Sequence, residues 1–148
     1  MGYGCVIVMD LDRFEELTAK HGWNQYTPNI ITGALTDLVE QFVRKYFAVV
    51  VYGLDRVRGT EEVVLEIPDV DDEILRNIVR DLEAIRREIR RLGGSITIAV
   101  ALGAISGKPA RSRRDAYDGP TRRLALKLLR EAKRRGGNRV VSPLTPLK

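Results

Sequence analysis

The sequence predicts an α+β domain in which helices pack on a mainly antiparallel sheet. Three observations predict it. β-Branched apolar runs alternate with helix-periodic segments in the order β, α, β, β, α, β, α, β. The two middle runs are separated only by the turn-like Arg58-Gly59-Thr60-Glu61, which makes them a hairpin. The chain has 148 residues, 44% of them hydrophobic, enough for one core and too little for two. The expected architecture is a ferredoxin-like βαββαβ core with an appended αβ unit and helices on one face of the sheet. One domain over residues 1–141 accounts for these elements, and residues 142–148, with two prolines, are expected to fray.

Residues 4–9 (GCVIVM) are almost wholly apolar and read as a strand buried on both faces, ending on Asp10. Residues 11–20 mix acids with Phe14 and Leu17 at helical spacing, and Gly22 closes that piece. Thr27 is the expected N-cap of a second helix, with Pro28 in its first turn and Ile31, Leu35, Leu38, Phe42 and Tyr46 along one stripe. Residues 47–57 and 62–67 read as the hairpin strands. Residues 69–92 begin acidic and end basic, complementing the helix dipole, and repeat apolar residues every three or four positions until Gly93-Gly94. Residues 95–102 are another buried strand, 103–119 a Gly/Pro/Arg-rich loop, 121–135 a last helix and 138–141 a short strand.

Composition excludes some function classes. No run approaches the roughly 18 apolar residues of a membrane span, and residues 5–9 lack the length and basic flank of a secretory signal, so a cytoplasmic protein is expected. The single cysteine, Cys5, builds neither a disulfide framework nor a zinc site and reads as a small buried hydrophobe. With two Gln and four Asn, the composition leans toward a thermophile. Charge is divided: residues 1–106 hold 12 Lys/Arg against 17 Asp/Glu, and residues 107–148 hold 13 against 3. Carboxylates able to hold divalent cations thus come early, and a basic segment suited to phosphates comes late.

Asp10-Leu11-Asp12 places two carboxylates at the end of a buried strand, where a fixed backbone aims them at a divalent ion. The first strand and the hairpin of a βαββ unit are sheet neighbours, so Asp55, Glu61 and Glu62 can approach Asp10. Each has a plainer reading: Asp12 as a helix cap, Glu61 and Glu62 as solvated turn residues, Asp55 as an edge-strand charge. His21 reads as structural, and Trp23 and Tyr26 as rim packing before base stacking. The basic run 108–114 (KPARSRR) suits nucleic-acid backbone through counterion release, but no aromatic residues are interleaved with it.

Asp10-Leu11-Asp12-Arg13-Phe14 resembles the D-x-D-x-F opening of the GGDEF (diguanylate cyclase) family and its nucleotidyl-cyclase palm relatives. Ala132-Lys133-Arg134-Arg135-Gly136-Gly137-Asn138-Arg139-Val140 resembles the family's A-K-x-x-G-R-N closing signature. The signature hairpin departs, and two registers compete. In one, Tyr52-Gly53-Leu54-Asp55-Arg56-Val57 lies where Y-G-G-D-E-F would; in the other, Gly59-Thr60-Glu61-Glu62-Val63 fits the motif. The hairpin is then roughly six residues longer than usual, about three residues or 10 Å per strand. The guanine-reading Asn and Asp fall on Thr18 and Thr27, so guanine specificity does not carry over. No Arg-x-x-Asp pair stands at the family's inhibitory spacing. Thr27-Pro28-Asn29 resembles the start of archaeal GTP cyclohydrolase III, a palm relative that opens the guanine ring.

The resemblance implies a Mg²⁺-dependent (or Mn²⁺-dependent) enzyme acting on a purine nucleoside triphosphate, GTP or ATP. One or two ions would be held by Asp10, the Leu11 carbonyl, Asp12 and a hairpin carboxylate, Asp55 or Glu61. Lys133 would contact the phosphates and Arg139 would assist. Joining two triphosphates would demand a homodimer; ring opening would not. The alternatives are a degenerate domain serving as nucleotide sensor or interaction module, and a nucleic-acid-binding protein using the basic C-terminal part.

Overall fold

A computed structural model describes residues 2–24 and 27–147. Its elements are β1 (Gly2–Leu11), α1 (Phe14–His21), α2 (Ile30–Tyr46), β2 (Val49–Tyr52), β3 (Glu62–Pro68), α3 (Asp72–Arg91), β4 (Ile96–Ile105), α4 (Arg113–Ala116), α5 (Pro120–Arg134) and β5 (Arg139–Val141). The sheet order is β2-β3-β1-β4-β5, antiparallel except for β4 with β5. This is the α+β ferredoxin-like arrangement expected, with the αβ unit α5–β5 added beside β4. No helix among the described residues is long and apolar enough to cross a membrane.

β1 lies at the centre, and its unbroken apolar run follows from burial on both sides. Cys5, Ile7, Met9 and Leu11 join the core under α2 and α3, while Val6 and Val8 join a second core under α4 and α5. Helices therefore cover both faces, not one. The reason lies in the αβ unit: a parallel β4–β5 pair needs a crossover, and its helix, α5, packs on the face opposite α2 and α3.

Further expectations are corrected. The α2 cap is Asn29 and not Thr27: the Asn29 side chain accepts from the Ile31 and Thr32 amides at 2.9 and 3.0 Å, and Thr32 Oγ1 accepts from the Asn29 amide. Pro28 precedes that cap and lies outside the first turn. The run 47–57 yields only four strand residues, because Phe47 takes a left-handed conformation to end α2 and Gly53, at φ 98°, ends β2. The additional hairpin residues do not lengthen the strands. Residues 53–61 form a loop folded onto α2, where buried Thr60 Oγ1 lies 2.7 Å from Thr36 Oγ1. Residues 142–145 turn back through a Ser142–Thr145 bridge.

Candidate cation and nucleotide site

The candidate residues gather at the end of β1 on the α4/α5 face. Alternation along β1 puts Asp10 on the same side as Val6 and Val8, and its register partner on β3 is Glu62. Lys133, from the last turn of α5, closes the site from above. Its Nζ lies 3.1 Å from Asp10 Oδ2 and 3.0 Å from Asp12 Oδ1, and it donates to the Leu11 carbonyl at 3.1 Å. Three oxygens thus converge on one positive charge.

The two aspartates differ in kind. Asp12 is buried, and Ser95 Oγ, Thr97 Oγ1 and the Asn138 amide donate to it at 2.6, 2.7 and 2.9 Å. Burial opposes its ionisation, but these donors and Lys133 together hold its carboxyl below the usual range. It does not cap α1, whose N-cap is Arg13 without a side-chain bond. Instead it ties the end of β1 to the start of β4 and to the α5–β5 turn. Gly137 in that turn, at φ 67°, has no room for a side chain: a Cβ would lie 2.8 Å from the Asp12 carboxyl carbon. Asp10 keeps 32% of its side chain exposed, and burial pushes its carboxyl up to about 6 against the opposing pull of Lys133.

Glu62, one of the hairpin acids expected to approach Asp10, faces it across the strands. Its carboxylate accepts from Arg113 Nε and Nη2 at 2.7 and 3.1 Å and from the Tyr117 hydroxyl at 2.5 Å. The Glu62 bonds raise Arg113 and Tyr117 above their ordinary values, burial being the larger cause for the tyrosine. The basic run thus lies against the site: Ala110 N donates to the Val51 carbonyl, and Arg113 carries the chain to Glu62. Its signal in the sequence was a pair of residues, Arg113 and Tyr117, spaced one helical turn apart.

Beside Asp10 opens a cleft of about 330 Å³ lined by Tyr52, Leu54, Asp55, Arg58, Glu61 and Glu62, among others. Both candidate hairpin acids therefore share a cleft with Asp10. Asp55 Oδ1 accepts from the Val57 and Arg58 amides at 2.9 Å each, which shapes the loop. Burial raises the Glu61 carboxyl, opposed by Arg58. Its carbonyl accepts from the Leu11 amide at 3.0 Å, so Glu61 is the loop residue tied directly to the end of β1.

Other expected residues lie elsewhere. Thr18 is buried in α1 and donates to the Glu15 carbonyl at 2.9 Å. Thr27 is exposed ahead of α2. Arg139 donates to the Gly137 and Arg135 carbonyls at 3.2 and 2.9 Å and so closes the α5–β5 turn. His21 stacks on Trp23 with ring centroids 4.4 Å apart. Tyr26 falls outside the described residues.

The donors bear on the expected ion. Among the described residues no three His, Cys, Asp or Glu side chains form a metal-holding group. Mg²⁺ takes one or two carboxylates and leaves its other positions to phosphate, carbonyl and water oxygens. The Asp10 carboxylate and the Leu11 carbonyl, converging on one cation position, are such hard donors, so this pair fits a divalent ion.

A solved microbial GGDEF domain, described with bis-(3,5)-cyclic di-GMP, superposes on 95% of this chain and 77% of its own, with a TM-score of 0.56 and 17% identity. The guanylyl cyclase Cya2 superposes on 88% of this chain and 73% of its own, with a TM-score of 0.48 and 14% identity. A Csm1–Csm4 cassette in complex with cA3 covers 94% of this chain and 21% of its own, with a TM-score of 0.39 and 19% identity. No family model and no curated protein matches the sequence. The chain has the palm fold of GGDEF domains. In this fold the end of β1 bears Asp10 and the hairpin delivers Glu62 beside it.

Proposed function

We propose that the chain is a Mg²⁺-dependent palm of the nucleotidyl-cyclase kind that binds a purine nucleoside triphosphate in the Asp10 cleft. The observation that carries this reading is the convergence of Asp10, Asp12 and the Leu11 carbonyl on a cation, 3.0 to 3.1 Å from each, at the rim of an open cleft. The fold of a GGDEF domain described with a cyclic dinucleotide supports the choice of ligand. Asp10 and the Leu11 carbonyl would hold Mg²⁺ (or Mn²⁺), which when bound neutralises the triphosphate and the charge gathering on pyrophosphate as it leaves. Asp12 positions the Leu11 carbonyl and Lys133 without spending its own filled oxygens on metal. Lys133 supplies a point charge to the phosphates, and the cleft walls, Tyr52 and Leu54, flank the rest of the nucleotide. Formation of a cyclic dinucleotide would require a second copy facing the first.

A second reading has its own support. Glu62 beside Asp10 is already committed to Arg113 and Tyr117, which suits a nucleotide sensor without turnover. Incubation of the protein with GTP and ATP, singly and mixed, with Mg²⁺ or Mn²⁺, followed by mass spectrometry, separates the two. A cyclic or linear dinucleotide, or a formylamino-pyrimidine from GTP, names an enzyme, and Asp10→Ala should abolish it. Unchanged triphosphates with calorimetric binding of MgGTP or MgATP leave the sensor. Absence of both turnover and binding overturns the proposal.

A further inference from the structure

The position that Asp10 and Leu11 offer to a cation already holds one. Lys133 Nζ lies within 3.1 Å of Asp10 Oδ2, Asp12 Oδ1 and the Leu11 carbonyl oxygen together. A divalent ion ligated by Asp10 and that carbonyl would fall on the same point, and two cations do not share it. We infer that the Lys133 ammonium is the resident cation of this slot and gates metal entry: a divalent ion enters only with a phosphate chain that draws the ammonium away.

Three features make the lysine a movable plug. Its backbone is fixed, because neighbouring Ala132 is fully buried, while its side chain remains 27% exposed on a flexible four-carbon stem. Its departure does not orphan Asp12, which retains Ser95, Thr97 and the Asn138 amide as donors. Among the described residues, the groups that lose this partner are Asp10 and the Leu11 carbonyl, the two that an arriving metal satisfies. Arg113, by contrast, is held by two bonds to Glu62 and has no such freedom.

The inference rests on the proposed triphosphate site, and the test separates the two. Lys133→Met keeps the length of the stem and removes the charge. Mn²⁺ binding without nucleotide, followed by loss of the free-ion paramagnetic resonance signal, should be weak in wild-type protein and about tenfold tighter in Lys133→Met, the factor that about 1.4 kcal/mol represents. Adding Asp10→Asn to Lys133→Met should return it to the wild-type level. Equal affinity in wild type and Lys133→Met overturns the gate. A measurement on wild-type protein guards against a misfolded variant: the ¹⁵N signal of the Lys133 ammonium should stay in place with Mg²⁺ alone and move when tripolyphosphate accompanies it. Displacement by Mg²⁺ alone also overturns the gate. Should MgGTP and MgATP fail to bind while both expectations hold, the nucleotide reading falls and the gate stands for another polyphosphate.

Discussion

The two faces of the sheet are built from different materials. Under α2 and α3 lie branched aliphatics such as Ile7, Leu65, Leu82 and Ile98, with no charged side chain buried among the described residues there. Under α4 and α5 lie smaller residues, Ala99, Ala101 and Ala125, together with every buried charge described: Asp12, Glu66 and Arg122. Small residues let α5 approach closely; at Gly103 a Cβ would come 2.6 Å from Thr121 Oγ1. One face supplies cohesion through apolar burial. The other accepts polar groups so that a helix can carry Lys133 to the end of β1.

The contrast is most severely tested at Glu66, 1% exposed, which binds Arg122 Nε at 2.9 Å and the Gly107 amide at 2.7 Å. Arg122→Ala, leaving that buried carboxylate without its counter-charge, should cost about 3–5 kcal/mol in denaturant unfolding. Replacing both, Glu66→Leu with Arg122→Met, should recover most of the loss, and a failure to recover would mean that the pair also fixes the loop through Ser106, Gly107 and Lys108. On the opposite face Leu82→Ala should cost about 2–5 kcal/mol by leaving a cavity. Below its lowered melting temperature, that variant should bind MgGTP or MgATP as wild type does.

A smaller effect of opposite sign is expected from the two aspartates. Asp12, held below its ordinary value, contributes stability that is complete above the unfolded value near 3.8 and is lost as pH falls through the folded one. Asp12→Asn should flatten that acid limb of the stability curve. Asp10, raised from 3.8 to about 6, behaves inversely, since the fold prefers it protonated and loses stability as pH rises between those values. Asp10→Asn in metal-free buffer should therefore raise stability at pH 7 by on the order of 1–2 kcal/mol, after discounting for its partial exposure, while removing cation affinity. Thermal melts across pH 3–8 check both signs. Gly137→Ala should have an effect of similar size and opposite sign, a loss of about 1–2 kcal/mol from left-handed strain and contact with the Asp12 carboxylate.

Much of this frame is legible in the sequence, for local reasons. Residues 4–9 announce a central strand because only burial on both sides permits six apolar residues in a row, and Asp10 stands out by ending them. The helix over residues 72–91 is legible from its period and its charged ends. What was missed depends on distant pairing. Glu62, Val64 and Glu66 alternate with Val63, Leu65 and Ile67, a pattern of one apolar and one acid-bearing face that would have placed a basic helix opposite. Ser95 and Thr97 meet Asp12 across 83 and 85 residues, a pairing that no local pattern encodes. Residues 47–57 misled because β-propensity registers Val49–Val51 but not the left-handed turn at Phe47.

The bond from Lys133 to the Leu11 carbonyl joins residues 122 positions apart, and this has a kinetic consequence. β1 is synthesised before both of its sheet neighbours, yet it is the middle of the sheet, and its partners β3 and β4 follow about 50 and 90 residues later. Through most of synthesis its apolar run therefore waits without neighbours, at risk of joining the same run on another nascent chain. Closure at Lys133 can come only once α5 has emerged. Nonlocal order of this kind slows folding, so the ability to bind a cation should be the last property the protein acquires on refolding.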